Sequence, residues 1–138
     1  GTEMEDRDKI VSLLNEFDST VNNFADRYTD FIKVVSQCQS DPTLEPKYLR
    51  PIARAISKYE KANGITYPAV LKENDEEDAY TQRKVVLENR LTGLRRYIQR
   101  TDILMDKLIP ESPELRKCWE VLISIHTANE LSNPGLEV

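Results

Sequence analysis

The side chains best able to do chemistry are few and scattered along the chain. His126 is the one histidine, and Glu130 lies four residues beyond it. On a helix the two share a face and could hold a metal ion between them. Two ligands fall short of the three or four a protein zinc site uses, and a histidine capping or half-buried near a helix end accounts for the same pair. Cys38 and Cys118 could act as nucleophiles or form a disulfide, but each sits inside an apolar helical pattern with no base close in sequence. That context suits small buried hydrophobes in a reducing compartment. The sequence holds no Cys-x-x-Cys, no His-Glu-x-x-His, no phosphate-cradling glycine loop and no nucleophile elbow. The acidic run from Glu73 to Asp78 lacks the spaced ligands and turn glycine of a calcium loop. It suits the positive end of a helix dipole instead. The reading is of a protein that is not an enzyme, with no catalytic residue, no metal site and no cofactor.

Phosphate binding is the remaining chemistry to weigh. The net charge of −5 gives no whole-chain attraction to nucleic acid or acidic membranes. Charge is nevertheless segregated: residues 41–72 carry six basic and three acidic side chains, and residues 81–108 seven and three. Arg90, Arg95, Arg96 and Arg100, with Lys84, form a candidate anion-binding face. A solvated helix face paired with acidic neighbours explains the same cluster.

These residues must be positioned by helices. Ile10, Leu14, Phe17, Val21, Phe24, Tyr28, Phe31, Val35 and Cys38 recur at alternating spacings of four and three. That is a heptad seam, and it predicts one continuous helix over about residues 4–38. Three phenylalanines in the seam suit a bundle core better than a two-stranded coil. Asp41-Pro42 stops this helix, and a second is expected over about 47–62, closed by Asn63-Gly64. Ile65–Lys72 reads as an extended strap with its apolar side chains against the bundle. A third helix over about 75–108 carries Tyr80, Leu87, Leu91, Leu94, Ile98, Met105 and Leu108, interrupted by Lys84 and Thr101. Gly93, costing about 1 kcal/mol against alanine in mid-helix, suggests a close helix approach. Ser112-Pro113-Glu114 opens a fourth helix over about 113–131.

The expected fold is an all-α antiparallel helical bundle with two long helices and two shorter ones. It forms a single domain over 1–138, in which 1–2 and 135–138 read as tag or linker. Short connections make successive helices antiparallel, so the third runs beside the first. One end then has four helices, and the other has two plus the strap. At that thin end Ile10, Leu14 and Phe17 face Tyr80 and Leu87, and the seam there is expected to dock a second copy of the chain. The function this implies is a protein–protein interaction module, a scaffold or adaptor subunit acting as a homodimer. The alternative is a helical domain that binds phosphoinositide membranes or nucleic acid through the basic face of helices two and three. No apolar run approaches the roughly 18 residues of a membrane span. With no secretory pattern at the N-terminus and no N-x-Ser/Thr site, an intracellular location, cytoplasmic or nuclear, is expected.

Overall fold

The computed structural model describes residues 3–74 and 78–132. Four α-helices account for most of them: α1 (Glu3–Ser40), α2 (Arg50–Ala62), α3 (Ala79–Asp102) and α4 (Pro113–Ser132), with no strand among the described residues. A π-helical turn, Glu45–Leu49, runs directly into α2, and another, Ile103–Leu108, extends α3. The fold is therefore all-α, with two long and two shorter helices.

Local chemistry explains most of the boundaries. Pro51 has no N–H to donate, and its ring crowds the carbonyl four residues back. The wide turn before it answers that problem: Arg50 N–H donates to Glu45 O, five residues away, and the two side chains pair at 2.7 Å. Asn63-Gly64 ends α2 in a Schellman arrangement. Gly64 takes φ +64°, and the N–H groups of Gly64 and Ile65 reach back to Lys61 and Glu60. Ser112 caps α4, its hydroxyl accepting from Leu115 N–H at 3.3 Å. Asp78 caps α3, accepting from Thr81 N–H at 2.8 Å. The third helix was expected from about residue 75. Residues 75–77 lie outside the described ones, Glu73 and Asn74 are not helical, and the described helix begins at Ala79.

The chain forms two compact units, and α1 and α3 each contribute to both. The first comprises residues 1–25 and 67–99; the second comprises residues 26–66 and 100–138. The second unit owns the main core. Phe31, Val34, Cys38, Leu44, Ile52, Ile56, Ile103, Leu104, Trp119 and Leu122 come from α1, α2, α4, the α1–α2 connection and the π-helical turn that extends α3. Phe31 and Trp119 stack with centroids 6.3 Å apart. Arg27 forks to Asp102 at 2.6 Å and Asp106 at 2.9 Å, tying α1 to the end of α3.

In the first unit the buried residues are Ile10, Leu87, Leu91, Leu94 and Ile98. Its two helices run parallel, since Arg7 bonds Tyr80, Lys9 approaches Glu88 and Glu16 pairs with Arg95. The strap runs antiparallel along α3. Tyr67 receives the Arg96 guanidinium over its ring, Asn89 clasps both the N–H and the C=O of Leu71, and Gln82 donates to Asn74 O.

Three expectations need correction. The first helix is not one uninterrupted rod: Phe24 leaves helical geometry at φ −125°, ψ 19°, and the residue is 38% exposed instead of seated in the seam. Asn22 and Asn23, weak helix formers whose amides compete for backbone groups, immediately precede it. A straight helix also drifts about 20° per heptad from a strict seven-residue seam, and a break resets that drift. Gly93 marks no close approach, because a Cβ there would meet nothing within 4 Å. The strap is extended as expected, but its apolar side chains do not all turn inward. Ile65 and Tyr67 are half-buried, whereas Val70 is 77% and Leu71 46% exposed.

Candidate interaction surfaces

The seam residues expected to dock a second copy divide by exposure. Ile10 and Leu87 are buried within the first unit and present no surface. Phe17 and Tyr80 are half-buried, the Tyr80 hydroxyl accepting from Arg7 Nε at 3.2 Å. Leu14 stays exposed at 38%, and Val11, one turn earlier, at 55%. With Phe24, Val70, Leu71 and Tyr97 they make up the exposed large apolar side chains of the described residues, and all six belong to the first unit. That unit also holds a shallow groove of about 290 Å³, with Leu13, Leu71 and Leu91 against the Glu16–Arg95 pair. The physical cause is thickness. Two helices and a strap cannot enclose apolar stripes that four helices enclose in the second unit.

The arginine face is largely used up by the chain itself. Arg95 pairs with Glu16, Arg96 lies over the Tyr67 ring with 5.3 Å to its centroid, and Arg100 pairs with Glu60. Arg90 alone of the four is exposed with neither an ion pair nor a ring contact among the described residues. The last of these pairs is the most sheltered, its side chains only 15% and 10% exposed. Sequence reasoning missed it because the partners are forty positions apart, although the lone carboxylate on the apolar side of α2 was a visible signal.

His126 Nε2 is buried and lies 3.0 Å from a Glu130 carboxylate oxygen, out of line for a hydrogen bond. Lys33 approaches the same carboxylate at 3.6 Å, a cation that a metal ion would have to displace. Among the described residues no three His, Cys, Asp or Glu side chains converge as a metal site. Cys38 and Cys118 are free thiols in or against the second unit's core. Burial raises the pKa of both, with Glu45 and Asp41 adding to the effect at Cys38 and Glu114 at Cys118, so neither resembles an activated thiolate. No helix among the described residues is long and apolar enough to cross a membrane.

A region that composition had marked only as a basic excess becomes specific in the structure. Lys47, Arg54, Lys58 and Lys61 are all exposed on α2 and the turn before it, while Ile52, Ile56 and Glu60 face inward. No protein-family model matches this chain, and comparison with curated proteins and with solved structures gives no match either.

Proposed function

We propose that the chain is a non-catalytic protein–protein interaction module that assembles with a second copy of itself through the first unit, as a scaffold or adaptor subunit. One observation carries this reading: every exposed large apolar side chain among the described residues lies in that unit, and none in the other. Fully burying a valine or leucine stabilises by about 1.5–3 kcal/mol, so Val11, Leu14, Val70 and Leu71 together supply several kcal/mol to an interface. A second copy is the favoured partner because two-fold pairing presents one such patch to its equal. The self-association surface is narrower than the seam as first read. It centres on Val11 and Leu14, since Ile10 and Leu87 are already covered.

The alternative is membrane or nucleic-acid binding through the basic face of helices two and three, and the intramolecular partners of Arg95, Arg96 and Arg100 count against its helix-three part. Light scattering tests the assembly. The wild type is expected at twice the chain mass of 15.9 kDa at micromolar concentration, and Val11→Asp/Leu14→Asp at the monomer mass with its helicity retained. A wild type that stays monomeric ends the proposal.

A further inference from the structure

The α2 segment has two carboxylates, and both are engaged within the chain. Glu45 is held by Arg50 and Glu60 by Arg100. Lys47, Arg54, Lys58 and Lys61 are left exposed, with no ion pair among the described residues. At 3.6 residues per turn Arg54, Lys58 and Lys61 fall within an arc of about 60°, directly opposite Ile52 and Ile56. Lys47 is exposed in the π-helical turn before the helix.

No ion pair among the described residues accounts for this row. Like charges at i,i+3 and i,i+4 destabilise a helix. Lys61 in the last turn suits the helix dipole, but Lys47 and Arg54 lie nearer its positive end, where the one acidic residue, Glu45, is held by Arg50. The chemistry of the row points to a narrow partner. An extended anionic plane or a nucleic-acid duplex would meet the net charge of −5 as well as the row, because both reach well beyond a Debye length of about 8 Å. The row offers no stacking platform for bases, since Tyr48 and Tyr59 are packed against the core, and α2 has no exposed large apolar side chain to enter a bilayer. A rod carrying carboxylates every three or four residues matches the spacing of Arg54, Lys58 and Lys61.

We propose that the basic row of α2 docks an acidic helical segment of a partner protein. This adds a second binding face to the interaction module proposed above and rests on that reading of the chain, but on different residues. The test uses a fluorescein-labelled helical peptide with glutamates at i, i+4, i+7 and i+11, followed by anisotropy. Its binding is compared with that of phosphatidylserine vesicles and an RNA duplex. The wild type is expected to bind the peptide and to lose roughly tenfold in affinity between about 20 and 300 mM salt. The variants R54E/K58E/K61E and R54Q/K58Q/K61Q, checked for unchanged helicity, are expected to lose at least as much while keeping the wild-type mass. Peptide binding should persist in Val11→Asp/Leu14→Asp, so failure of the self-assembly reading leaves this measurement readable. Equal peptide affinity in wild type and both α2 variants overturns the inference. So does tighter, α2-dependent binding of vesicles or RNA.

Discussion

The pairing of Arg100 with Glu60 offers the sharpest test of the packing. Both side chains are largely withdrawn from water, at 15% and 10% exposure, where α2 and the end of α3 meet in the second unit. Removing one member of a fully buried pair costs about 3–5 kcal/mol, because the other charge is stranded without solvent. The residual exposure lets some water reach the survivor, so Glu60→Ala is expected to cost about 2–4 kcal/mol. Replacing both members with apolar side chains of similar length, Glu60→Leu with Arg100→Met, removes the stranded charge and should fall within about 1 kcal/mol of the wild type. Thermal unfolding followed by circular dichroism separates these cases. At about 3–5 °C per kcal/mol for a chain of this size, the single variant melts roughly 6–20 °C lower and the double variant close to the wild type. A shift under about 0.5 kcal/mol for Glu60→Ala, the value of a solvent-screened surface pair, would refute the claim that this contact is sheltered.

Other consequences can be checked with single substitutions. Gly93→Ala meets nothing within 4 Å and is expected to stabilise by about 1 kcal/mol, raising the melting temperature; a lower melting temperature would show a contact that the glycine serves. Asp78 has its pKa lowered, first by the Thr81 backbone N–H it accepts, so its contribution is present above the usual carboxylate pKa and is lost as pH falls through the depressed folded value. The stability gap between wild type and Asp78→Ala should therefore close on acidification below about pH 4, and a gap independent of pH would contradict the capping role. Because burial raises both thiol pKa values, Cys38 and Cys118 should react with a disulfide reagent near neutral pH more slowly than a free thiol, with buried Cys38 the slower of the two and both fast in denaturant.

What could be read from the sequence was whatever a few adjacent residues decide. Ser112-Pro113 and Asn63-Gly64 fix helix ends through their own hydroxyl, ring and backbone freedom, and both ends stand where they were expected. The heptad spacing found α1 and α3 because burial of a stripe needs only that period. It could not find the departure at Phe24, since the residue type still fits the seam and only the three-dimensional path of the helix does not. The strap misled for a similar reason. Val70 and Leu71 look inward-facing by type, but the orientation of that stretch is set by the Asn89 amide gripping the Leu71 backbone, eighteen positions away. The candidate sites depended still more on tertiary partners. Four arginines on one helix look like an anion site until Glu16, Tyr67 and Glu60 are brought against three of them.

Those same charges solve a problem that the apolar seam leaves open. A seam that repeats every seven residues fits its neighbour almost equally well after a slip of one heptad, so hydrophobic burial alone does not set the register of α1 against α3. In the first unit Lys9 meets Glu88 and Glu16 meets Arg95, each partner 79 positions further on. A slip of one heptad in one direction would put Lys9 against Arg95, and a slip in the other would put Glu16 against Glu88. Both alternatives exchange attraction for like-charge contact on the flank of the seam. Exposed pairs of this kind are each worth little in stability, about 0–1 kcal/mol. Their effect on choosing between registers is larger, because every slipped arrangement loses the attraction and gains the repulsion together. Arg95 is thus better understood as specifying which residue of α1 the third helix faces than as waiting for an external anion.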